Sequence, residues 1–204
     1  MDGSGLTCHN CELPDKATRC DHPAAPSQRC STLLIQHYVL EIFNSLAPLQ
    51  TLKHLSLDVT SSSIERNMAK NACPALLELS LSGNDHWIHH VLDSLAGGQI
   101  KTVTIATSST NSTTLTELYR SLARLSSLQK ISHSWGDECE MYWDSASHSM
   151  ECFKVEIIPI IYPISRLSHL ECLELSSWTP FTDHDILALA TTFPTIKELG
   201  ISSG

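Results

Sequence analysis

Leu52-Lys53-His54-Leu55-Ser56-Leu57 places aliphatic side chains at offsets 0, 3 and 5, and the same spacing recurs along the chain. Leu76, Leu79 and Leu81 repeat it, as do Ile100, Val103 and Ile105, then Leu170, Leu173 and Leu175, and finally Ile196, Leu199 and Ile201. Leu128 and Ile131 fit with His133 in the third place. The runs begin at 52, 76, 100, 128, 170 and 196, so they are separated by 24, 24, 28, 42 and 26 residues, and only the fourth interval is out of line. Periods of this length mark a chain of stacked supersecondary units.

Two residues within each run, such as Leu55 and Leu57, are spaced for one face of a strand. The segments between the runs are helical in pattern. Thr182-Asp183-His184-Asp185 reads as a capping box ahead of Ile186, Leu189 and Ala190, with Phe193-Pro194 closing the helix. Thr114-Leu115-Thr116-Glu117 reads as a second box before Leu118, Leu122 and Leu125. Asp85 is suited to cap a helix striped by Trp87, Ile88, Val91, Leu92 and Leu95. Ser31 or Thr32 is suited to cap another running through Tyr38, Ile42 and Phe43 to Leu46, and Ile64 to Ala72 is the shortest. Pro159 and Pro163 rule out an unbroken helix through Ile157 to Ile164. Each unit is then a helix followed by a strand too short to hide its own apolar face. Stacking such units gives an α/β fold with a parallel sheet on one side, helices on the other and one continuous core.

Composition agrees with one sizeable folded domain: 204 residues, of which 42% are hydrophobic and 17% charged. The formal charge of −9 offers no broad positive field for phosphates or anionic head groups, so nucleic-acid and membrane partners are not expected and a basic protein partner is. No run of about 20 apolar residues spans a bilayer. Met1-Asp2-Gly3-Ser4-Gly5 lacks the basic start of a signal peptide, which points to the cytoplasm or nucleus and to free thiols among the eight cysteines.

The residues Phe181 to Ile201, with Phe193-Pro194-Thr195-Ile196-Lys197-Glu198-Leu199-Gly200-Ile201 at their end, resemble the cysteine-containing leucine-rich repeats of F-box proteins, fungal ones above all. Ala72-Cys73-Pro74-Ala75-Leu76-Leu77-Glu78-Leu79-Ser80-Leu81 is similar to the Cys-Pro-x-Leu-x-x-Leu-x-Leu core of that repeat. The resemblance spans about Ser31 to Gly204. It implies a leucine-rich-repeat solenoid of about six units, sheet concave and helices convex, serving as the substrate-recognition part of an F-box-like ubiquitin ligase subunit. Two features depart from it. Val59-Thr60, Gly83-Asn84 and Ser177-Trp178 stand where such repeats often carry a cysteine after the strand, and no F-box helix triplet precedes Ser31. A repeat scaffold without a ligase link, or a small zinc module attached to a solenoid, are the alternatives.

The outward strand positions form columns: Ser56, Ser80, Thr104, Ser132, Glu174, Gly200 and, beyond it, Asp58, Ser82, Ala106, Ser134, Ser176, Ser202. Small hydroxyls supply little of the aromatic and arginine area that anchors interfaces, so this face reads either as a partner surface or as simply solvated. The long interval offers more. Its excess lies at about 134–152, where Trp135, Tyr142 and Trp143 stand among Asp137, Glu138 and Glu140. Aromatics give contact area and acids select a basic partner, so the insertion is the first candidate for recognition, with His54 and Trp178 as a second. The alternative is that Trp135 and Trp143 fold back over a repeat junction.

Metal and catalysis find less support. His86 and His90 are four apart on a helix, with His89 and Asp93 nearby, but no third ligand is evident and the histidines read as the solvated side. Cys8, Cys11, Cys20 and His22 could hold zinc, but residues 1–30 lack a second cysteine pair downstream and read as a disordered tail. No nucleophile elbow, phosphate-binding glycine loop or His-Glu-x-x-His motif occurs, so no enzyme and no cofactor are expected. The last run ends near residue 201 with no helix after it, which points to self-association at that edge, to further repeats or to a bound partner.

Overall fold

In the computed structural model the residues described are 6–9, 31–35, 50–59, 73–95, 98–107, 111–135, 142–144, 149–151, 157–177 and 181–203. The repeated runs form strands β3 (His54–Val59), β4 (Glu78–Gly83), β5 (Thr102–Thr107), β6 (Lys130–Trp135), β9 (Cys172–Ser177) and β10 (Glu198–Ser203). They lie side by side in chain order, all parallel. Register follows the sequence offsets residue for residue: Leu55, Leu79, Val103, Ile131, Leu173 and Leu199 form one row across the sheet.

Two further strands extend this sheet beyond β3. β2 (Thr32–Ile35) pairs parallel to β3, setting Leu33 against Leu55, and β1 (Leu6–His9) pairs antiparallel to β2. Both correct the sequence expectation. Thr32 begins a strand rather than capping a helix, and residues 6–9 of the expected tail are part of the sheet. Cys30, Leu33 and Ile35 in fact carry the 0, 3, 5 spacing, 22 residues ahead of Leu52. A cysteine in the first place, followed by Ser31 and Thr32, gives the segment the look of a helix start.

Strand and helix share one core. The helices are α1 (Asp85–Ser94), α2 (Ser112–Leu122), the short α3 (Ile157–Ile161) and α4 (Asp183–Thr192), and their apolar faces join the inward sheet rows in a single buried cluster. A 3₁₀ turn at Tyr162–Arg166, with Pro163 in its first turn, carries the chain on from α3, as the two prolines require. Helix starts differ from the sequence reading in two places. Asn111, not Thr114, caps α2, its Oδ1 accepting from the Thr113 and Thr114 amides at 2.9 and 3.4 Å. The Asn84 carbonyl, one residue before Asp85, accepts the first amides of α1. The third start is as expected: the Thr182 amide donates to Asp185 Oδ2 at 2.8 Å and the Asp185 amide to Thr182 Oγ1 at 3.3 Å, a reciprocal box. Thr182→Ala should therefore lower stability by about 1 kcal/mol in a denaturant melt. The helix at Ile64 to Ala72 lies outside the described residues.

Backbone hydrogen bonds tie each unit to the one before it at one rim of the sheet. A single carbonyl accepts two consecutive amides of the next unit, from Ser31 accepting from Lys53 and His54 through to Glu171 accepting from Lys197 and Glu198, at 2.8–3.1 Å. Just upstream, the amides of Leu76, Leu128, Leu170 and Ile196 each donate to the carbonyl three residues earlier, a tight turn that delivers the chain to the strand. The long interval is absorbed without disturbing this pattern. β6 pairs directly with β9, and the intervening chain forms a separate two-stranded antiparallel sheet, β7 (Tyr142–Asp144) with β8 (Ser149–Glu151).

Candidate functional site

The sheet has one sealed face and one open face. On the sealed side Leu55, Leu79, Val103, Ile131 and Leu173 are all essentially inaccessible. On the open side the positions alternate with them along each strand and remain in part accessible, except Cys172, which is buried.

Charge on the open face gathers where the strands begin. The first column reads His54, Glu78, Thr102, Lys130, Cys172, Glu198 across the sheet. His54 Nδ1 lies 2.8 Å from Glu78 Oε2, and Lys130 Nζ donates to Glu174 Oε1 at 2.6 Å. That hydrogen bond raises the pKa of Lys130 and lowers that of Glu174, so both stay charged near neutrality. Glu174 leans over Gly200 on the neighbouring strand, where a Cβ would come within 3.1 Å of the Glu174 Cγ. A larger residue at 200 would push the carboxylate aside. Beyond this charged margin the face is mostly hydroxyl and methyl, with Ser56, Ser80, Thr104 and Ser132, then Ser82, Ala106, Ser134 and Ser176, and Asp58 on β3 is a further acid. Column arithmetic extended to the first outward position brings Lys130 and Glu174 onto adjacent strands, one step apart diagonally, while the contact itself depends on side-chain reach.

No protein-family model matches the chain, and neither does any curated protein or solved structure. The surface itself must carry the functional reading.

Of the residues the sequence nominates for recognition, His54 stands on the open face, partly exposed and paired with Glu78. Trp135 does not reach the surface. It ends β6 with 7% of its area exposed, its ring 4.9 Å from that of His133 and 6.2 Å from that of Phe181. Position 135 continues the inward row of Ile131 and His133, so the period-two rule already directs it into the core. Tyr142 and Trp143 lie on β7, in register with Glu151 and Met150 of β8. Asp137, Glu138, Glu140 and Trp178 lie outside the described residues.

Cys8 lies on β1 in register with Leu33, and Cys11, Cys20 and His22 are outside the described residues. His86 is on α1. His89 is not on the solvated side as its neighbours suggest: it is buried, with Nε2 4.0 Å from Glu117 Oε2, and its ring is edge-on to that of His90. Among the described residues no three side chains capable of binding a metal converge.

One polar constellation lies inside the core. His133 occupies the inward row between Ile105 and Leu175, its Nδ1 2.8 Å from Tyr119 Oη and its Nε2 3.1 Å from Thr107 Oγ1. A neutral imidazole offers one donor and one acceptor, and each hydroxyl can serve as either, so the three groups satisfy one another in both tautomers. His133 is 1% exposed and Tyr119 wholly buried, so a solvent-borne substrate has no path to them. This histidine fills the row that an aliphatic residue fills elsewhere, at the cost of recruiting two hydroxyl partners.

No helix among the described residues is long and apolar enough to cross a membrane.

Proposed function

We propose that the chain is a leucine-rich-repeat solenoid, without catalytic activity, that binds another protein, and that it serves as the substrate-recognition part of an F-box-like ubiquitin ligase subunit. The observation that carries the binding role is the division of the sheet: one face is committed to the core, and the other, among the described residues, stays partly accessible across the six repeat strands with most of its charges along one margin. The insertion supports it. Its hairpin belongs to neither the main sheet nor the repeat, and it brings Tyr142 and Trp143 within a strongly acidic stretch, a composition suited to a basic partner. The ligase link rests on the likeness of residues 72–83 and 181–201 to F-box repeats.

Capture experiments on the full chain address both parts. Co-purification of cullin-ligase subunits supports the ligase role, whereas capture of a partner without them leaves a repeat scaffold. The Tyr142→Ala and Trp143→Ala double variant should lose partner capture by at least tenfold, as interface aromatics commonly do, with its melting transition unchanged. A clear loss of stability from Trp143→Ala alone would assign that residue to packing and move recognition to His54 and Trp178.

A further inference from the structure

The match between neighbouring units does not stop at the strands. β6 and β9 pair with Lys130 against Cys172, and the same step back along the chain equates the end of α2 with the 3₁₀ turn at Tyr162–Arg166. Leu122, Leu125 and Leu128 are at most 1% exposed, and their counterparts Ile164, Leu167 and Leu170 at most 6%. The exposed positions correspond as well. Arg120 matches Tyr162, which is 57% exposed, and Arg124 matches Arg166. α2 packs against the turn, so these four residues stand together on the helix side, near the rim where the strands begin.

These two stretches carry no acid. Residues 118–128 and 157–170 contain none, in a chain with 22 acids against 13 lysines and arginines. Arg124 is paired with Asp93 of α1 at 2.9 Å, but among the described residues neither Arg120 nor Arg166 has an ion-pair partner. Two such guanidinium groups beside an exposed aromatic ring have the composition that dominates interface energetics. We propose that this patch binds an acidic segment of a second protein, with Arg120 and Arg166 each taking a carboxylate and Tyr162 covering an apolar residue between them. A long polyanion fits it poorly. The patch spans only two units, and a net charge of −9 repels an extended phosphate backbone. The hairpin lies beyond the end of β6, at the other rim, so the proposal is independent of what the open face or the hairpin binds.

Fluorescence anisotropy of a labelled glutamate-rich peptide with one central phenylalanine, titrated with the full chain, tests this directly. Saturable binding that weakens as salt is raised is expected. Arg120→Glu combined with Arg166→Glu should reduce the affinity about tenfold or more, with the melting transition unchanged because both side chains are exposed. Tyr162→Ala should also weaken binding, and Tyr162→Phe should leave it intact, since the ring rather than the hydroxyl makes the contact. Lys53→Glu changes the net charge as much as Arg166→Glu does, but just ahead of β3, and should have little effect. A chain that does not bind the peptide, or that Lys53→Glu weakens as much as Arg166→Glu, overturns the proposal. Tighter binding of a single-stranded oligonucleotide than of the peptide overturns the choice of partner.

Discussion

Leu173→Ala lowers the unfolding free energy by about 2 to 5 kcal/mol, and Leu79→Ala does the same. Each side chain is inaccessible to solvent and has an aliphatic neighbour on either side in the same row: Ile131 and Leu199 flank Leu173, while Leu55 and Val103 flank Leu79. Backbone hydrogen bonds on both sides fix the spacing of these strands, so the sheet cannot close over the space that a lost isobutyl group leaves. Two controls sharpen the expectation. Ser80→Ala, one residue from Leu79 on the open face, should change stability by less than about 0.5 kcal/mol. Leu199→Ala, with its side chain already in part in water, should cost less than half as much as Leu173→Ala in the same denaturant series. Equal losses at Leu79 and Ser80 would mean that the sealed and open faces have been exchanged.

Acid destabilises the protein through His133 before its carboxylates titrate. Burial pushes the imidazole down to about 3 from its ordinary 6.5. Above pH 6.5 the ring is neutral in both the folded and unfolded chain and nothing is lost. Below that value the unfolded chain takes up a proton that the folded core refuses, so stability falls as the pH falls, by up to about 1.4 kcal/mol per unit. The loss runs on toward pH 3 and amounts to roughly 4 to 5 kcal/mol. Glu174 adds to it at lower pH, since its depressed pKa means its contribution is present above the unfolded carboxylate range and is lost on acidification. The window from pH 6.5 to 5 therefore separates the imidazole's contribution from that of the carboxylates. Replacing the constellation as a whole, by His133→Leu with Tyr119→Phe and Thr107→Val, should flatten the stability profile there. His133→Leu alone should be poorly tolerated at every pH, because it strands two buried hydroxyls at about 1 to 3 kcal/mol each. A wild-type profile already flat between pH 6.5 and 5 would contradict the assignment.

The strands were legible because their signal is local and repeated. Six runs with the same offsets leave one register, and the structure adopts it through to the pairing of Leu173 with Leu199. Where a signal depended on contact with distant parts of the chain it was weaker. Thr32 looks like a helix cap until β3 is available to pair with β2, and nothing in Leu6–His9 announces an antiparallel partner. His133 reads as a flaw in the repeat because Tyr119 and Thr107, 14 and 26 residues away, are what make it tolerable. The acidic neighbours of Trp135 suit a loop as well as a packed side chain, and strand parity decides for the core. The open face was legible as columns of small residues, but the ion pairs along its margin depend on side-chain reach, which spacing alone does not supply.

The paired amides that each unit donates to its predecessor have a consequence for how this protein can change. They lock the chain from the tight turn to the first residue of every strand, so removing one residue between Leu125 and Lys130 would turn β6 over and send Ile131 and His133 into water. Among the described residues no equivalent pairing recurs at the opposite rim, where the chain leaves each strand. There the distance to the next turn varies, and between Trp135 and Ile157 it has grown enough to hold a hairpin of its own. Length is rigidly inherited on one side of the molecule and freely negotiable on the other. New binding loops, whether natural or grafted, belong on the second.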